Sequence, residues 1–104
     1  MKSIFPLLLL AGLLVTATSA FAHTLYMNLV DNEDGTVLIE SMYSTGSTGA
    51  GLPVILEDKN GNVIQKMKLD ENGEATFEIP DQPYEVFLDG GPGHTVRKQG
   101  PEKP

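Results

Sequence analysis

Two Asn-Gly pairs, Asn60-Gly61 and Asn72-Gly73, stand between short runs of alternating apolar and polar residues, and they constrain the fold more than any other feature. Asn and Gly tolerate positive φ, which a type I′ reversal needs at both central positions, so each pair reads as the tip of an antiparallel hairpin. Around them the alternation predicts strands over residues 24–30, 37–43, 54–57, 63–69, 75–79 and 84–89. Leu25, Met27 and Leu29 share one face of the first. Phe77 and Ile79 share one face of the fifth, and Tyr84, Val86 and Leu88 one face of the sixth, with Glu85, Phe87 and Asp89 outside. No stretch keeps a 3.6-residue apolar period over ten residues. The reading is all-β: a small Ig-like or transthyretin-like sandwich of about six or seven strands.

The first residues follow another logic. Lys2 is followed by an apolar run over residues 4–15 and by Ala20-Phe21-Ala22, the A-x-A pattern of a signal-peptidase site. The run is shorter than the ~20 apolar residues of a permanent span. Residues 1–22 are therefore expected to be a cleaved signal peptide, residues 23–96 the sandwich, and residues 97–104, with no apolar side chain, a flexible tail. The expected compartment is the periplasm. Cleavage two residues earlier, after Ala20, is the alternative.

With 14 Asp+Glu against 7 Lys+Arg the chain carries a formal charge of -7, and loss of residues 1–22 removes Lys2 alone from the charged groups. Such a surplus of carboxylates argues against nucleic acid, whose phosphates call for clustered Lys and Arg. Cysteine is absent, so neither a disulfide nor a thiolate metal site is available. No phosphate loop and no nucleophile elbow occurs. The expectation is a protein that is not an enzyme. The stretch 44–51, rich in Ser, Thr and Gly, reads from composition as a mobile loop.

Only two histidines are present, and their positions are informative. His23 would be the first residue after cleavage, where its α-amine and imidazole chelate one metal ion at little proton cost near neutral pH. His94 follows Asp89-Gly90-Gly91-Pro92-Gly93, a turn that presents it on a loop. Together they supply three nitrogens suited to copper, nickel or zinc, with Met27, Asp31 or Asp89 as candidate further donors. Cleavage after Ala20 would instead leave His23 third in the chain, in a square-planar Cu(II) or Ni(II) arrangement.

Ala22-His23, the turn segments 57–61 and 70–77, and the run 84–94 ending in Gly93-His94 resemble the small periplasmic accessory proteins of nickel and cobalt uptake transporters. The domain of those proteins resembles the carboxypeptidase regulatory-like, transthyretin-like sandwich. The resemblance covers about residues 20–96. It implies a domain that helps deliver Ni²⁺ or Co²⁺ to a membrane transporter, with His23 and His94 at the family's histidine positions. Members often continue into a membrane helix, whereas this sequence stops at Pro104, so contact with transporter subunits would run through protein surfaces, with residues 97–104 as the candidate tether.

Two other readings compete. One is a metal-free sandwich module docking on an envelope protein. The other is a copper enzyme built on an N-terminal histidine, for which Tyr26, Tyr43, Phe77, Tyr84 and Phe87 make a sparse aromatic surface once the core has taken its share.

Overall fold

The structure, a computed structural model, describes residues 23–104. The expected signal peptide and both cleavage sites lie outside the described residues. Seven strands form two antiparallel sheets: β1 (Leu25–Asp31), β2 (Thr36–Tyr43), β3 (Pro53–Asp58), β4 (Val63–Lys68), β5 (Glu74–Glu78), β6 (Tyr84–Asp89) and β7 (Thr95–Gln99). One sheet has the order β1-β2-β5 and the other β4-β3-β6-β7. This is the small all-β sandwich that the alternation predicts. No helix among the described residues is long and apolar enough to cross a membrane.

The core lies between the sheets. Val37 and Ile39 of β2, Val54 and Leu56 of β3, and Val86 and Leu88 of β6 are all 0% exposed. Pairing sets Val54 opposite Leu88 and Leu56 opposite Val86, so the two central strands of the larger sheet present one continuous apolar surface. Each such side chain contributes about 1.5–3 kcal/mol by leaving water. Leu25, Met27, Phe77, Ile79 and Tyr84 complete the layer on the faces read from the sequence.

The two Asn-Gly turns depart from the type I′ expectation. In each pair only the glycine has positive φ, 83° at Gly61 and 75° at Gly73. Gly61 N–H donates to the Asp58 carbonyl at 3.0 Å, and Asp58 N–H to the Asn62 carbonyl at 2.9 Å. That is a right-handed turn closed by one left-handed glycine. The cause is the aspartate before the pair: Asp58 Oδ1 accepts the N–H groups of Asn60 and Asn62, each at 2.9 Å. These bonds hold its carboxyl below the ordinary value, the Asn62 backbone N–H most strongly. Asp70 repeats the device, accepting from Asn72 and Glu74 at 2.9 Å.

The partners also differ. Asn60-Gly61 joins the paired strands β3 and β4, but Asn72-Gly73 carries the chain from β4 in one sheet to β5 in the other, where β5 pairs with β2. Leu69 N–H still donates to the Leu52 carbonyl at 2.9 Å, while four residues later the Gly73 carbonyl already accepts from Ser41 N–H at 2.9 Å. The turn reverses the chain without choosing its neighbour.

Residues 97–99 are not a flexible tail. They belong to β7, which pairs with β6 from Glu85–Gln99 to Asp89–Thr95. Backbone pairing of this kind needs no apolar side chain, which is why composition missed it. Arg97 lies over the Phe87 ring at 4.1 Å and bonds Glu57 at 2.7 Å. Beyond the strand, Gly100 packs flat on Tyr84, whose hydroxyl donates to the Pro101 carbonyl at 2.7 Å, and Lys103 pairs with Asp81. The stretch 44–51 is likewise held: Tyr43 N–H donates to the Ser47 carbonyl at 2.7 Å, Gly49 N–H to Ser41 and Gly51 N–H to Leu69, both at 3.0 Å.

Two measurements check this account of the C-terminal segment. A Cβ at residue 100 would come within 2.1 Å of the Tyr84 ring, so Gly100→Ala is expected to destabilise by about 1–3 kcal/mol in urea unfolding. Burial pushes the Tyr84 phenol up to about 12, with Asp31 and Glu102 adding to the shift. Its folded value lies above the unfolded value near 10, so its contribution is complete below about pH 10 and is lost as the pH rises toward 12. Tyr84→Phe should abolish that alkaline loss, read as unfolding free energy across the same range.

Candidate functional site

The connection from β6 to β7 is built so that its last residue is held against the sandwich. His94 N–H donates to the Gly91 carbonyl at 2.9 Å, and Gly90 N–H to the His94 carbonyl at 2.8 Å. Pro92 followed by Gly93 at φ 80° inside that loop has the form of a type II turn, with His94 closing it. Asp89 Oδ1 accepts Gly91 N–H at 2.9 Å and steadies the entry. Gly90 serves by its size: a Cβ there would lie 2.7 Å from the His94 carbonyl oxygen and 2.8 Å from a Leu25 methyl. The bare backbone lets the turn rest on the first residue of β1.

From there the contacts lead back to the other histidine. Leu25 pairs with Tyr43, and the Tyr43 ring meets the His94 ring edge-on, with centroids 6.2 Å apart and planes at 75°. Thr24 N–H donates to Ser44 Oγ at 2.9 Å, and Ser44 N–H returns to the Thr24 carbonyl at 2.8 Å. The residue directly after His23 is thus pinned beside Tyr43. His23 itself is exposed. Both histidines therefore lie at one end of the sandwich, His94 half-buried in its turn and His23 at the entry to β1.

The candidate further donors separate. Met27 is 3% exposed and belongs to the core, which removes it from a surface site. Asp31 ends the seven-residue β1, about 20 Å of strand away from Leu25, and lies toward Tyr84 at the opposite end. Asp89 stays near, on the strand that enters the turn, but spends one oxygen on Gly91. Among the described residues no group of three or more His, Cys, Asp or Glu is arranged to hold a metal ion.

His94 has one further property. Its Nδ1 is buried and has no hydrogen-bond partner. A buried polar atom left unpaired costs about 1–3 kcal/mol, and a histidine kept only for packing ordinarily finds a donor or acceptor. Imidazole suits borderline cations such as Ni²⁺, Co²⁺, Cu²⁺ or Zn²⁺, and because Nδ1 is closed to solvent the ring would have to turn for that nitrogen to reach one.

Tyr43 and Ser44, which tie the two histidines together, were not singled out by chemistry. The signal for Tyr43 was its register: it ends the second predicted strand, where an antiparallel partner brings the start of the first. Searched against protein-family models, curated proteins and solved structures, the chain matches none.

The orphaned nitrogen gives a direct test. His94→Phe keeps an aromatic ring against Tyr43 and removes the unpaired atom, so it should leave unfolding free energy unchanged or raise it by about 1 kcal/mol in denaturant titration. A histidine serving structure alone would show the opposite.

Proposed function

We propose that this chain is an exported, non-enzymatic metal-handling domain that takes up Ni²⁺ or Co²⁺ as cargo and presents it to subunits of a membrane uptake transporter. The observation that carries the reading is the convergence of the β1 entry and the His94 turn on Tyr43 and Ser44. Those contacts support a shared site because the residue preceding Thr24 is a histidine and the imidazole facing Tyr43 has a nitrogen without a partner. The resemblance of residues 84–94 and of Ala22-His23 to nickel and cobalt accessory proteins points the same way.

In this reading the signal peptide is removed after Ala22, and His23 contributes an α-amine and an imidazole, with His94 supplying a third nitrogen. A set of neutral nitrogens, with no thiolate, suits a carrier that must also release its ion. Because each nitrogen must be free of its proton to bind a metal ion, affinity should fall steadily as the pH drops from about 8 to about 6.

Calorimetric titration of the protein isolated from the periplasm, with Ni²⁺, Co²⁺, Cu²⁺ and Zn²⁺ in turn, tests it. Saturable binding is expected, with His23→Ala and His94→Phe each weakening it at least about tenfold, the lower end of what losing even an outer partner of a metal ligand costs. Binding that is equal in the wild type and both variants overturns the reading, as does an isolated form that begins after His23.

A further inference from the structure

The charges of this protein are divided between its two sheets. The Lys and Arg of the described residues are Lys59, Lys66, Lys68, Arg97, Lys98 and Lys103, and none lies on β1, β2 or β5. Those three strands carry Asp31, Glu40, Glu74 and Glu78. The ion pairs among the described residues join Arg97 to Glu57 and Glu85, and Lys103 to Asp81, so they leave the smaller sheet uncompensated.

The outer face of that sheet is also where apolar side chains are exposed. Tyr26 at 54%, Met42 at 53% and Val30 at 36% are three of the four large hydrophobics exposed among the described residues. Tyr26 stands directly across from Met42, and Val30 from Leu38. Next to the Tyr26–Met42 pair, Glu40 stands across from Glu74, two carboxylates in adjacent strands, a pairing that disfavours the free sheet. Between Tyr26, Glu40, Met42, Thr48, Asn72 and Glu74 lies a cleft of about 380 Å³.

We propose that this face is a docking surface for a basic segment of another protein, one in which arginine and apolar side chains follow each other at every second residue and so share one face of the extended chain. An extended segment laid across the strands would rest its apolar side chains on Tyr26, Met42 and Val30. An arginine entering the cleft would meet the Tyr26 ring and the Glu40 and Glu74 carboxylates, the geometry in which a guanidinium combines ring stacking with paired hydrogen bonds. Charge complementarity favours a foreign partner over a second copy. This chain's own cations on β4 and β7 stand in a sheet that also carries Glu57, Asp58, Glu85 and Asp89, and Arg97 is already bound to Glu57. Tyr26 and Met42 adjoin Leu25 and Tyr43, so the surface reaches the His94 end of the fold, but it lies on the outward face of the sheet while Tyr43 meets His94 on the other, and it does not depend on the metal reading.

The test is an NMR titration of the isotope-labelled protein, as isolated, with a synthetic Arg-Leu peptide, in which every second residue is Arg and Leu in turn with Ser between, and with its Glu-Leu counterpart. The Arg-Leu peptide should bind saturably and more weakly at high salt, with shifts centred on Tyr26, Glu40, Met42 and Glu74. The double variant Glu40→Gln, Glu74→Gln, which relieves a repulsion and so retains the fold, should bind about tenfold more weakly. Glu57→Gln with Glu85→Gln on the other sheet, and His23→Ala with His94→Phe, should leave binding unchanged. Equal binding of the Glu-Leu peptide, shifts centred on the larger sheet, an unaltered affinity in the Glu40, Glu74 variant, or self-association through this face without peptide would each overturn the proposal.

Discussion

Burial of β2 against β3 and β6 is the interaction on which everything else in this molecule rests. Without a disulfide, the described domain depends on one apolar layer, centred on Val37, Ile39, Val54, Leu56, Val86 and Leu88, to offset the entropy of ordering its chain. A domain of this size buries a modest share of its unfolded surface, so the layer has little to spare. The turns sharpen its geometry through Asp58 and Asp70, whose carboxylates hold the loop amides and leave few alternatives for where each strand begins.

The two ends of the sandwich are closed by different means. At one end the segment after β7 crosses Tyr84, with Gly100 under the ring and the Pro101 carbonyl on the hydroxyl. Among the described residues no buried side-chain nitrogen or oxygen at that end lacks a partner. At the other end the turn before β7 settles on Leu25 through Gly90, and the His94 ring meets Tyr43 while its Nδ1 finds no partner. A satisfied closure serves stability; an unsatisfied one, beside a second histidine, is where the chemistry of binding can be sought. The division of charge adds a third region. The larger sheet mixes both signs, whereas the smaller carries carboxylates alone around exposed Tyr26 and Met42.

Much of the fold was legible in the residues. Alternation assigned the inward faces of β1, β5 and β6 because a pleated strand turns successive side chains to opposite sides. The Asn-Gly pairs located both reversals. The candidate site was legible in part: His23 and His94 stood out as the two histidines, and Gly90 to Gly93 announced a turn. The departures have separate causes. Met27 was offered as a ligand although its place on the inward face of β1 buries it, and Asp31 although the length of the strand carries it to the far end. Strand β7 was missed because, Val96 apart, its side chains are polar and backbone bonds to β6 hold it.

What the sequence by itself determined are the local matters: that the chain is all-β, where it reverses, and which side chains face inward. These follow from φ preferences at Gly and Asn and from the two-residue period of a strand, both set by neighbours in the chain. Only the tertiary structure decided that β5 leaves β4 to pair with β2, that residues 95–99 close the larger sheet, and that His23 and His94 share one end. Those outcomes depend on packing and hydrogen bonds between residues far apart in sequence, and a local pattern satisfies several such pairings equally well until the core selects one.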